Sequence, residues 1–178
     1  MRVLPGLLGI FVFVVSSCVN PRVLHTEKYK GQDILVGEGN FRALMVAPYQ
    51  KWFEENRAAY QPVQPVVEQL KPYLKDVEME VFMGTWCPDS REHVPVFYKV
   101  LQAAGYDPDR VKVFFLPREY GSHPLVKGKN IIRVPTFVFY ENGRELGRII
   151  EYPMESVEKD MLKILTVSGY RHELENQN

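Results

Sequence analysis

Apolar and polar residues alternate most clearly over 77–83, Val-Glu-Met-Glu-Val-Phe-Met, where the two-residue period ends in a wholly apolar stretch. That is the pattern of a strand passing from a half-covered to a fully covered part of a sheet. From Asp89 the period changes: Val94, Phe97, Val100 and Leu101 recur at helical spacing, and Gly105 and Pro108 mark the exit near Ala104. A second apolar run, 111–116, follows, so strand, helix and strand predict a right-handed βαβ unit with parallel strands. Residues 117–133 are polar, carry Gly121, Pro124 and Gly128, and have room for one short helix. A third strand, 134–140, leads through Glu141-Asn142-Gly143 into a fourth, 144–150, and Asn-Gly between two such runs is a strong hairpin signal. Val157, Met161, Leu162 and Leu165 share one face of a final helix over 155–167, beyond which 168–178 reads as a polar tail.

Upstream of the first strand, Val66, Val67, Leu70, Tyr73 and Leu74 predict an amphipathic helix, set off by the breaker Gln61-Pro62-Val63-Gln64-Pro65. Asn40 fits a cap for a helix over 41–47, and Pro48 fits a kink or the start of a second helix that carries Trp52 and Phe53 to about Tyr60. Those aromatics are expected to pack over the main domain, lining a binding cleft being the less common use. Residues 20–39 mix charged and turn residues around Ile34-Leu35-Val36 and read as a tether entering a small strand or irregular segment. The resulting division is 1–17 a signal segment, 18–60 a tether and helical extension, 61–167 the main domain and 168–178 the tail.

Composition adds mainly exclusions. At 178 residues, 46% hydrophobic and 25% charged, one globular domain suffices. Lysine plus arginine equals aspartate plus glutamate at 22 each, and without a basic block no nucleic-acid surface is expected. His25, His93, His123 and His172 are scattered, so neither a metal site nor a Cys-His pair is expected, and no cofactor is implied. The amino terminus is distinct: Arg2 precedes an apolar stretch, 4–15, that is shorter than the ~20 residues of a spanning helix and therefore reads as a secretory signal. Val15-Ser16-Ser17-Cys18 resembles a bacterial lipobox, which would make Cys18 a lipid attachment point and place the domain outside the cytoplasm, anchored on a periplasmic or surface membrane face. Plain secretion, or a retained anchor, is the alternative.

If Cys18 carries lipid, Cys87 is the only free thiol, and a solitary thiol in an oxidising compartment points to reactivity before structure, an inert buried cysteine being the alternative. It lies in Gly84-Thr85-Trp86-Cys87-Pro88-Asp89-Ser90, at the joint between the first strand and the following helix. A sulfur there is expected to face unpaired backbone N–H groups at the positive end of the helix dipole, which favours thiolate, while Asp89 opposes it and Arg91, one turn on, is available to offset Asp89 or is simply solvated. Pro88 suits the first helical position. Ser90 stands where a second sulfur would complete Cys-x-x-Cys, so the candidate catalytic pair is Cys87 and Ser90.

Trp86-Cys87-Pro88-Asp89-Ser90, Val134-Pro135-Thr136 and the Asn142-Gly143 hairpin together resemble the thioredoxin superfamily, over roughly 66–167. The resemblance implies an α/β fold, a thioredoxin-like mixed sheet flanked by helices, with 41–60 as an N-terminal helical extension. It further implies a cis Val134–Pro135 bond facing Cys87, and a substrate groove made by Trp86, Pro88, Val134, Pro135 and Thr136. The family's buried aspartate would fall six residues before Cys87, where this chain has Val81, so base and resolving thiol are missing together. The activity implied is monothiol thiol-disulfide exchange on extracytoplasmic protein or small-molecule disulfides, with an external thiol as reductant. A redox-silent binding module and a thiol-based redox sensor are the alternatives.

Overall fold

A computed structural model describes residues 22–176. Six strands form one mixed sheet in the order β1-β2-β4-β3-β5-β6: β1 His25–Tyr29, β2 Gln32–Gly39, β3 Val77–Met83, β4 Lys112–Phe115, β5 Thr136–Glu141 and β6 Arg144–Ile150. β3 and β4 run parallel and are joined by α3, Pro88–Ala103, while the other neighbouring pairs are antiparallel. Three more helices are α1 Gln50–Ala59, α2 Gln64–Leu70 and α4 Val157–Thr166. The α/β mixed-sheet architecture is the one the hydrophobic pattern and the resemblance imply.

The two sides of the sheet are covered differently. Val81, Met83, Val113, Phe115, Phe137, Phe139 and Ile149 belong to one cluster with the buried side chains of all four helices. Phe53 of α1 is fully buried and meets Tyr98 of α3 edge to face at 5.4 Å, so the 50–59 helix is part of this core. Val81 sits in this cluster as an ordinary core residue, opposite Val113 and Phe137. The alternate positions Phe82, Phe114 and Val138 form a second cluster with Leu125, Val126, Ile131 and Val134, so the polar stretch between β4 and β5 covers the other side. That loop is tied down by Lys129 Nζ to Glu80 at 2.6 Å, and by Arg148 donating to the carbonyls of Lys129 and Asn130 at 3.1 and 3.0 Å.

The segment read as a tether contains a β-hairpin. β1 is His-Thr-Glu-Lys-Tyr, an edge strand with its three central residues exposed, and an edge strand needs no apolar face for a sequence pattern to reveal. Lys30 and Gly31, at φ 49° and 78°, make the two-residue turn that matches strand twist, with Lys where Asn or Asp usually signals it. Asn40 caps as expected, accepting from Arg42 N–H at 3.1 Å, but the turn it starts is a 3-10 segment, Phe41–Leu44, that ends before a cis Ala47–Pro48 bond. The tail also packs: His172 and Leu174 are buried, His172 Nε2–H donates to Tyr152 O at 2.9 Å, and Glu173–Asn176 form a 3-10 turn. One leucine in a polar stretch carries no period, so this docking was invisible beforehand. No helix among the described residues is long and apolar enough to cross a membrane. Cys18, the signal segment and the lipobox lie outside the described residues.

Candidate functional site

The site begins where β3 stops. Gly84 follows the strand, and Thr85, Trp86 and Cys87 turn the chain into α3, with Cys87 as its N-cap and Pro88 at the first helical position. Proline fits there because its missing N–H has no intrahelical partner and its φ is already helical. Three contacts hold the turn. Buried Thr85 accepts the Leu35 N–H at 3.1 Å on Oγ1, fastening the loop to β2. Arg91 Nε donates to the Thr85 carbonyl at 2.6 Å while its guanidinium lies over Trp52, so this arginine braces the loop. Ser90 is fully buried, and its Oγ accepts from Gly84 N–H at 3.3 Å.

Gly84 is required for space. A Cβ there would fall 2.4 Å from Trp86 Cε2 and 2.6 Å from Nε1, closer than real atoms approach. The indole occupies that volume because it is fixed on its other sides. Nε1–H donates to Leu116 O at 2.9 Å, Tyr120 stacks at 6.4 Å, Tyr29 tilts in at 6.5 Å and the Arg118 guanidinium lies 4.6 Å over the ring. Tyr120 OH donates to Ile132 O at 3.3 Å, and burial raises its phenol above the ordinary value.

Cys87 is 6% exposed and belongs to the apolar cluster under the β4–β5 loop. Its S–H donates to Val134 O at 3.2 Å, and Asp89 Oδ2 is a second, longer acceptor at 3.8 Å. As an N-cap it makes no side-chain capping bond, and the hydrogen bond its sulfur does make goes to the Val134 carbonyl, not to a helix N–H. The Val134–Pro135 bond is cis, the arrangement the resemblance implies, and β5 starts one residue later, at Thr136. Thr136 Oγ1 donates to Arg133 O at 2.7 Å and Glu151 N–H to Pro135 O at 2.7 Å, so the turn is held from both sides.

The structure therefore brings Trp86, Cys87, Pro88, Val134 and Pro135 together, with Ser90 and Thr136 supporting the two turns from beneath. His93 is half-buried on α3 and burial lowers its pKa. Among the described residues no three His, Cys, Asp or Glu side chains are placed to hold a metal ion. Sequence reasoning missed Tyr29, Lys30, Arg118 and Tyr120 around the indole. The one local signal was a basic or aromatic residue at each strand's end, which has meaning only once β1 and β4 are known to end beside the same turn.

Two solved structures share the fold. A Pseudomonas aeruginosa protein of unknown function is 16% identical, with a TM-score of 0.54 over 70% of this chain and 90% of its own. An HIV epitope scaffold of the 4E10 designation is also 16% identical, with a TM-score of 0.53 over the same shares. A comparison with curated proteins found no match. A family model described as Thioredoxin matches residues 41–163, more than half of the sequence and the whole stretch from the aromatic helix α1 through the cysteine turn to α4, and by that match the chain belongs to the thioredoxin family.

Proposed function

We propose that the protein is a monothiol thiol-disulfide exchanger with Cys87 as nucleophile. The observation that carries this reading is the Sγ placed 3.2 Å from the Val134 carbonyl, at the meeting of the two turns. Cys87 gives up its proton and attacks one sulfur of a substrate disulfide. A bond forms between Cys87 Sγ and that sulfur, the substrate S–S bond breaks, and the departing thiolate takes up a proton. An external thiol then attacks the mixed disulfide and frees Cys87, leaving with the substrate portion as a new disulfide. Ser90 contributes by bracing the turn through Gly84, and Trp86, Pro88, Val134, Pro135 and Thr136 shape the approach. The substrates in this reading are protein or small-molecule disulfides outside the cytoplasm. A lipid on Cys18 holds the domain at a bacterial membrane, a reading supported only by the sequence of the first eighteen residues.

The low exposure of the sulfur supports a second reading, a redox-silent module that uses the same groove for binding. Thiol consumption by an uncharged disulfide separates the two. The full chain carrying Cys18→Ser should react faster than an unfolded peptide of the 84–90 sequence, and Cys87→Ser should abolish the reaction. A protein rate equal to or below the peptide rate favours the binding module.

A further inference from the structure

A cleft of about 350 Å³ opens beside the residues that flank Cys87. It is lined by Tyr29, Lys30, Gln32, Trp86, Pro88, Arg91 and Arg118. That volume is near the small end of ligand sites, and the walls combine aromatic faces with polar groups. Its charge is one-sided: three cations and no carboxylate face it. The ion pairs among the described residues use other cations, and Lys30, Arg91 and Arg118 take part in none of them. What holds them is aromatic or backbone. Lys30 Nζ is 5.5 Å from the Tyr29 ring centroid, Arg118 lies 4.6 Å over Trp86, and Arg91 spends one N–H on Thr85 O. A cation resting on a ring face keeps its outward N–H donors available, and guanidinium groups bind carboxylates in bidentate fashion. Asp89, the carboxylate nearest the thiol, is not part of the lining.

We infer that this cleft selects disulfides carrying a carboxylate, small enough to seat that group between Lys30 and Arg118 while their sulfur meets Cys87. The inference rests on the exchange reading and names its substrate class. Lys30 and Tyr29 belong to the β1–β2 hairpin, which lies outside the matched family region, so the selectivity is an addition this chain makes to the shared fold.

The test uses three disulfides that differ mainly in charge, dithiodipropionate, bis(hydroxyethyl) disulfide and cystamine, with the full chain carrying Cys18→Ser. Rate constants are divided by those of the unfolded 84–90 peptide. The normalised anionic-to-neutral ratio should be roughly tenfold at low ionic strength, since three cations act across partly exposed distances, and it should collapse as salt shortens the screening length. Cystamine should fall below the neutral compound. Lys30→Gln combined with Arg118→Gln leaves only Arg91 in the lining and should remove most of the excess over the peptide ratio, and Lys30→Arg with Arg118→Lys, which keep the charge and report on folding, should preserve most of it. A peptide-like ratio in the unaltered protein, or a preference undiminished in the double glutamine variant, overturns the cleft assignment. A neutral disulfide that reacts no faster than with the peptide overturns the exchange reading instead, while a raised ratio in the same data would keep the cleft.

Discussion

Replacing Gly84 with alanine tests whether the tryptophan is held where the site needs it. The new methyl would sit 2.4 to 2.8 Å from three indole atoms, so the ring or the backbone must move. If the ring is displaced, it loses its hydrogen bond to Leu116 O, its stacking on Tyr120 and its contact with Arg118. These are worth about 1, 1 and 0.5 kcal/mol respectively, in line with the cost of overpacking a filled site. Alanine restricts the unfolded chain more than glycine and returns about 0.5 kcal/mol, because residue 84 does not use the left-handed region that only glycine tolerates well. The net expectation is a loss of about 2 kcal/mol, a fall in melting temperature of roughly 4–8 °C at this chain length. Urea unfolding measures the stability, and the long-wavelength edge of the near-UV circular dichroism spectrum, where tyrosine does not absorb, reports Trp86 in a Trp52→Phe background. Trp86→Ala should relieve the clash, so Gly84→Ala should cost much less on that background, a coupling a double-mutant cycle isolates. An alanine variant of unchanged midpoint and unchanged near-UV spectrum would refute the argument that the indole is pinned.

Thr85→Val removes the acceptor for the buried Leu35 N–H and should cost about 1–3 kcal/mol, with faster amide exchange at Leu35; exchange at the wild-type rate would show that β2 and the cysteine turn are not coupled. Ser90→Ala leaves the Gly84 N–H without its partner and should cost about 1–2 kcal/mol in urea unfolding, and a variant as stable as the parent would remove Ser90 from its bracing role. Tyr60 donates to Glu158 at 2.9 Å, and burial followed by that carboxylate pushes its phenol up to about 12. Because the folded value lies above the unfolded one of about 10, its contribution is intact below that pH and is lost as pH rises through 12. Tyr60→Phe should therefore show a shallower loss of stability between pH 10 and 12, measured as urea midpoint against pH, and identical slopes would contradict this.

The parts of the fold legible in the sequence are those whose burial has a period. β3, α3, β4 and the β5–β6 hairpin each place apolar residues on one face or run, and their observed bounds differ from the expected ones by two residues or fewer. β1 had no such pattern because it is an exposed edge, and the helix expected over 41–47 shrank to a 3-10 turn although its Asn40 cap formed as read. At the site, Trp86, Cys87 and Pro135 were legible as a motif, and what each side chain touches was not. The sulfur was expected among the helix N–H groups and is found on the Val134 carbonyl, a partner 47 residues away.

By itself the sequence determined a mixed α/β sheet, a cysteine at a strand-to-helix joint and a proline turn later in the chain. These follow from neighbouring residues, whose preferences and periods act over a few positions. Only the tertiary structure decided that Ser90 braces Gly84, that Thr85 holds β2, and that Lys30 and Arg118 converge beside Trp86. Those are pairings between segments brought together by the packing of the sheet, and hydrogen bonds and charges at such junctions leave no period along the chain that makes them.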